Sequence, residues 1–240
     1  LHLSIRRQRQ MCIRDRPYAH GLLSVEDALK VSCNDVFAKV GGEIGYSDMI
    51  DYLSKMGLFN PVLNLKGENR EEAKGVKPTF ENSMNNISIG QTIMVTPIQM
   101  AGLYNTVVNN GVYFKPSIVE SIVDDDDNQI ESLTESGKRI FSDTASKLAQ
   151  ETMSKVIWEG SGFEAKVDGV NIGGKTGTST GHGGINHGWF AGFFELNNKK
   201  YTIIVIAPNI GNKHPDGREL GGGNTGAPIF RDIVTEFTKQ

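Results

Sequence analysis

Cysteine is almost missing from this chain. Its 240 residues contain two, Cys12 and Cys33, too few for a disulfide framework and silent about redox compartment. Long hydrophobic runs are missing as well. No stretch approaches the roughly 18 apolar residues of a membrane helix, and the first residues lack the apolar core of a secretion signal. Nor is there an excess of positive charge: 25 basic against 28 acidic groups give −3, which argues against a nucleic-acid partner. "DDDDNQ" at 124–129 lacks the glycine and the distal glutamate of a calcium loop, so it reads as a solvated turn. There is no internal repeat.

What charge there is lies unevenly. Five of the nine arginines fall in the first sixteen residues, "LHLSIRRQRQMCIRDR"; the other 224 residues carry 20 basic against 27 acidic groups, or −7. Such a head could be a nucleic-acid arm or a juxtamembrane anchor. The string "RRQRQMCIRDR" more closely resembles translated sequencing-adapter read-through. Residues 1–16 are therefore expected to be non-native, and the natural sequence to be entered partway through, near Pro17.

Helical signals dominate the first half. "SVEDALKVSCNDVFAKVGGEIG" opens with Ser24 and Asp27 in capping-box spacing and breaks at "SCN" into two segments. "SDMIDYLSKMG" predicts a helix with Ser47 as N-cap and Gly57 just past its end; "TPIQMAGLYNTVVNNG" predicts one with Thr96 at the cap, Pro97 in the first turn and Gly111 at the exit. Residues 64–86 read as a long polar loop. "VYFKPSIVESIV" reads as a strand pair or an edge strand, since Pro116 cannot donate to a ladder. Residues 143–158 predict an amphipathic helix. Strands at 170–178, 188–195 and 200–207 follow, the last two joined by the turn "NNKK", and then a final helix with Pro228 at its start. No helix separates these strands, which implies an antiparallel sheet.

"GVNIGGKTGTST" at 169–180 admits two chemistries. From Gly169 through Thr176 it fits the phosphate-loop pattern, whose backbone amides cradle phosphates. That loop needs an apolar strand before it and a helix directly after the lysine. Polar "EAKVDG" and glycine-rich "GTSTGHGGINHG" supply neither. From Lys175 onward it is K-T-G-T, which in serine acyl-transfer enzymes sets a cation and hydroxyls beside a substrate carboxylate.

"SCN" at 32–34 after a capped helix, "ISIGQTIMVTPIQMAGLYN" at 87–105, and "KTGT" at 175–178 followed by "HGWFAGF" together resemble the transpeptidase domain of penicillin-binding proteins, closest to the single-function type that crosslinks peptidoglycan. The resemblance covers residues 18 to 238 and makes 17–240 the C-terminal part of such a domain. It implies a mixed α/β (α+β) fold, an antiparallel sheet covered by helices on both faces, and serine acyl transfer that needs no metal or organic cofactor. Its implied ligands are the D-Ala-D-Ala end of a peptidoglycan stem peptide and β-lactams. The implied setting is the outer side of the cytoplasmic membrane, in a protein tethered by an N-terminal anchor, with a cell-wall synthesis complex as an implied partner.

The family pattern is S-x-x-K, then S-x-N, then K-T-G. No lysine of this chain has a serine three residues before it. Thr144/Lys147 and Thr152/Lys155 have the spacing but lie in a helix after the S-x-N box, as surface or packing residues. The nucleophile and its lysine base are thus expected in the intact parent, not here, and this fragment is expected to be inactive alone.

By resemblance, Ser32 relays protons between nucleophile and amine; the bland alternative is a helix-interrupting serine satisfied by backbone. Asn34, whose amide both donates and accepts, would hold the peptide-like side chain of the donor strand, or else it is a helix cap. Lys175 supplies positive charge for the substrate carboxylate. Thr176 and Thr178 add hydroxyls, the Thr178 N–H completes an oxyanion hole, and Gly177 permits close approach of a substrate backbone; the alternative is an edge strand that happens to read KTGT. Gly90 and Gln91 are expected to support the site floor. His182 and His187 read as loop residues rather than metal ligands, and the two tryptophans and "WFAGFF" as core. Within the same fold, a β-lactamase or D,D-carboxypeptidase would resolve the same intermediate with water, and a non-catalytic β-lactam sensor would not turn over.

Overall fold

In the computed structural model, the structure describes residues 20–63, 65, 84–133, 135–181, 184–211, 213 and 215–239. The basic head and most of the expected polar loop at 64–86 lie outside them. Two short helices, α1 (Val25–Lys30) and α2 (Asn34–Ile44), are followed by α3 (Tyr46–Lys55), α4 (Met84–Ser88) and α5 (Pro97–Val108). Two small ribbons come next, β1 (Val112–Tyr113) with β4 (Lys138–Arg139) and β2 (Ser121–Val123) with β3 (Gln129–Ser132). Then follow α6 (Asp143–Glu159), a 3-10 turn at Phe163–Ala165, the strands β5 (Asn171–Thr180), β6 (Asn186–Leu196) and β7 (Lys199–Ala207), and α7 (Gly222–Phe237).

Side-chain caps mark the starts of α1, α5 and α6. Ser24 Oγ accepts from the Asp27 N–H, and Thr96 and Gln99 form a reciprocal capping box at the head of α5. Gln99 is buried and reaches across to donate to the Asn60 carbonyl at 3.0 Å, fixing α5 against the segment that follows α3. Ser47 is not a cap: α3 begins one residue before it, with Gly45 in the cap position and no side-chain capping bond. The stretch 112–123 does not pair with itself. Its two strands each find a later partner, because Pro116 interrupts the ladder between them.

The sheet is antiparallel, in the order β5-β6-β7, with helices on both faces. On β6 the side chains alternate. Phe190 and Phe194 turn toward α7, where the Phe190 and Phe230 rings lie 4.8 Å apart, while a Cβ at Gly173, beside Phe193, would lie 3.2 Å from the Ser154 backbone of α6. The main core joins Ile157, Ile172, Phe190, Phe194, Phe230 and Val234, so strands and helices share one apolar cluster. Trp158 departs from the expectation of core: it is 37% exposed and lies under the Lys166 ammonium. Helix α7 begins at Gly222, six residues before Pro228, so the proline sits inside the helix rather than at its start. Glycine makes that early start possible, since a Cβ at Gly222 would lie 1.9 Å from the Trp189 carbonyl oxygen.

Candidate active site

Ser32 owes its position to the way α1 ends. Its N–H donates to the Leu29 carbonyl and the Cys33 N–H to the Ala28 carbonyl, the paired bonds of a Schellman exit. Such an exit puts one residue in the left-handed region, usually glycine; here it is Ser32, at φ +56°. Buried Cys33 and Ala28 close the exit on its apolar side. The turn aims the Ser32 hydroxyl at β5, where it accepts from Lys175 Nζ at 2.9 Å. Its backbone is satisfied within the turn, but its hydroxyl is used elsewhere. Asn34 is the exposed first residue of α2, and Cys33 takes the cap position, so the helix-cap alternative does not hold for Asn34.

The segment 171–180 is one unbroken strand, without the turn and helix that a phosphate loop requires. Lys175 and Gly177 share the face of β5 that looks toward α1 and α6, and Thr176 and Thr178 point toward α7. A Cβ at Gly173 or Gly174 would meet the ring of Phe193 at 2.4 Å or of Phe190 at 2.8 Å, so the paired glycines make room for an aromatic ring on each face of the strand. Lys175 Nζ also donates to the Thr176 carbonyl (3.0 Å) and hydroxyl (3.3 Å). Thr178 Oγ1 accepts from the Gly222 N–H at the head of α7, 3.3 Å away. A Cβ at Gly177 would approach Trp189 Cβ to 3.3 Å.

Among the described residues β5 has one strand neighbour, β6, and its other edge faces the helices. Side chains take carbonyls on that edge: Lys175 at Thr176, and Gln91 Nε2 at Thr178 (3.4 Å). In a strand a residue's N–H and C=O lie on one side. The Thr178 N–H therefore faces the same outer edge. Gln91 reaches it from a second exit of the Schellman kind, with Gly90 at φ +80° and bonds from Gly90 N–H to Ile87 and Gln91 N–H to Asn86. Gln91 thus does more than support a floor; it touches the site strand.

The structure brings Ser32, Lys175, Thr176, Gly177 and Thr178 together, and Asn34, two residues after Ser32, is exposed. It adds Ser161, for which sequence reasoning had no signal. Ser161 Oγ lies 3.2 Å from Thr176 Oγ1. His187 lies in β6, not in a loop, and its Nδ1 accepts from the Asn209 N–H; His182 is outside the described residues. No group of three potential metal ligands occurs among the described residues. Lys147 pairs with Asp143 and Lys155 with Glu26 on the surface of α6, while the Thr152 hydroxyl donates to Leu148.

The model of the penicillin-binding protein transpeptidase domain matches residues 7–235. The chain belongs to this family. A peptidoglycan D,D-transpeptidase FtsI of Buchnera aphidicola is 29% identical over 92% of this chain and 38% of its own length. An FtsI homolog of Mesostigma viride is 27% identical over 90% of this chain and 40% of its own length, and stage V sporulation protein D of Bacillus subtilis 26% over 90% and 34%. The chain thus spans well under half of these relatives. Penicillin-binding protein 3 of Mycobacterium tuberculosis, solved with aztreonam, superposes with a TM-score of 0.76 at 24% identity, over 93% of this chain and 53% of that one. The D,D-transpeptidase domain of an Eggerthella lenta peptidoglycan glycosyltransferase gives 0.72 at 21%, over 93% and 55%. Both share the transpeptidase fold with this chain. Among the described residues no helix is long and apolar enough to cross a membrane.

Proposed function

We propose that this chain carries the second and third boxes of a serine D,D-transpeptidase that crosslinks peptidoglycan. The nucleophilic serine and its lysine base would come from an S-x-x-K box upstream. The observation that carries the reading is the 2.9 Å bond from Lys175 Nζ to Ser32 Oγ, which joins the two boxes across 143 residues. A hydroxyl held by an ammonium can pass a proton between a nucleophile, a leaving amine and an incoming amine. In the complete enzyme the serine oxygen bonds to the penultimate D-alanine carbonyl carbon, and the C–N bond to the terminal D-alanine breaks. D-alanine leaves with a proton delivered through Ser32. An amine of a neighbouring stem peptide then attacks the ester, loses its proton by the same route and releases the serine.

The remaining roles follow the placement of the groups. Lys175, Thr176 and Thr178 grip the carboxylate of the donor peptide or of a β-lactam. Asn34, exposed two residues after Ser32, takes the donor side chain, and the Thr178 N–H on the outer edge stabilises the oxyanion. The intact protein would work outside the cytoplasmic membrane, tethered by an anchor and joined to other cell-wall synthesis proteins. This chain alone would form no acyl-enzyme.

The test begins with the coding sequence upstream of Pro17. An S-x-x-K box there, restored to the protein, should give covalent labelling by a fluorescent penicillin and crosslinking of a pentapeptide substrate. Lys175→Ala should slow labelling about 10²- to 10³-fold, as loss of one preorganised transition-state contact does. Fast hydrolysis of the β-lactam would make the parent a β-lactamase. Stable labelling without crosslinking would make it a sensor, and no labelling at all would end the acyl-transfer reading.

A further inference from the structure

One serine touches both halves of the site. Ser161 follows Gly160, the residue that ends α6, and its N–H donates to the Lys30 carbonyl at 3.1 Å, two residues before Ser32. Its hydroxyl, partly buried, meets Thr176 Oγ1 at 3.2 Å. The approach is close by construction: a Cβ at Gly160 would lie 2.3 Å from the Lys30 carbonyl oxygen. The Lys30 ammonium is itself held between Asp27 (3.2 Å) and Glu159 (3.1 Å), so the ends of α1 and α6 are joined twice around Ser161.

The Thr176 hydroxyl is thus shared between an ammonium and a second hydroxyl. Lys175 has only hydrogens to give, so Thr176 Oγ1 accepts from it at 3.3 Å and turns its own proton elsewhere. The Ser161 hydroxyl, 3.2 Å away, either takes that proton or donates to the second lone pair of Thr176 Oγ1, and in both cases ties the hydroxyl down. We propose that Ser161 is a positioning residue of the site: it holds the Thr176 hydroxyl in the rotamer whose lone pair faces Lys175, and through Lys30 it sets the Ser32 turn at a fixed distance from β5. The inference about catalysis rests on the acyl-transfer reading above. The rotamer claim stands apart from it.

Two variants separate the hydroxyl from the backbone contact. Ser161→Ala keeps the N–H bond to Lys30 and removes only the link to Thr176; Ser161→Thr keeps both. In this chain, the three-bond couplings of Thr176 are expected to report a single χ1 rotamer in the wild type and in Ser161→Thr, and an averaged one in Ser161→Ala. A single rotamer in a folded Ser161→Ala protein would overturn the proposal whatever the enzyme does. In the protein restored with its S-x-x-K box, acylation by benzylpenicillin should slow about three- to tenfold in Ser161→Ala, the worth of one hydrogen bond, and recover in Ser161→Thr. Adding Ser161→Ala to Thr176→Val should cost nothing more, because the two act as a unit. Additive losses, or equal losses in Ala and Thr variants, would show a merely structural serine. If the restored wild type is not acylated, the function fails and the rotamer result still decides the role of Ser161.

Discussion

Tyr104 is enclosed in α5 with 5% of its surface exposed, and burial pushes its phenol well above the ordinary value of 10.0. A raised value means that folding favours the neutral phenol. Its contribution is complete below pH 10 and is lost as pH rises from there through the native value, by up to about 1.4 kcal/mol per pH unit. Urea unfolding at pH 8 and pH 11 should therefore show a smaller alkaline loss for Tyr104→Phe than for the wild type; equal losses would dismiss the argument. Single residues differed in how far the sequence betrayed them. Ser32, Lys175, Thr176 and Thr178 were legible because short boxes with defined order carry them. Ser161 was not, since its partners are Lys30 and Thr176, distant along the chain and set together only by the packing of α6 on α1. Gln91 lay in a recognisable "IGQ", yet nothing local shows that a helix exit would aim it at the Thr178 carbonyl.

The hairpin β6–β7 was the most legible element, and its turn says why. Asn197 and Asn198 both have positive φ, +52° and +59°, the pair that a two-residue turn of matching twist demands. Leu196 faces Lys199 across it. Asn198→Val places a β-branched side chain in that left-handed region and should cost about 1 to 2 kcal/mol, read as a lower urea midpoint. An unchanged midpoint would mean that the turn relaxes. The final helix was harder to read. A proline near a helix start is a sound local signal, but the Gly221–Gly223 run packs against Trp189 and Gly177, and tertiary contact drew the helix back past it. Helix α3 also departs from its local signal, with Gly45 at φ +83° rather than Ser47 in the cap.

How sheet and helices share one body can be probed with one substitution at two glycines. Gly222 lies where β5, β6 and α7 meet, and an added Cβ would stand 2.3 Å from the Gly177 carbonyl oxygen as well as against Trp189. Both obstacles are backbone. Gly222→Ala should cost about 3 kcal/mol or more and displace Thr178 from its contact with α7. Gly42, inside α2 with open space around its Cβ position, should respond oppositely: Gly42→Ala gains about 0.8 to 1 kcal/mol of helix propensity. Thermal melts of the two variants check both signs, and two shifts of the same sign would refute the packing argument. The general architecture was visible in the sequence because three strands follow one another without a helix between them. The strands of 112–123 were expected, but their partners β3 and β4 were not, since those short segments carry no periodic pattern.

The bond between Ser32 and Lys175 also sets an order of events in synthesis. A chain growing from its N-terminus displays Ser32 and Asn34 long before the lysine that meets them exists, and the Thr178 edge appears later still. No ligand that needs both boxes can be held by a nascent chain until β5 has left the ribosome. Once it has, such a ligand binds the docked state alone and draws the helical and strand halves together by mass action. Any ligand that spans both boxes would thus report on the completion of folding as well as on chemistry.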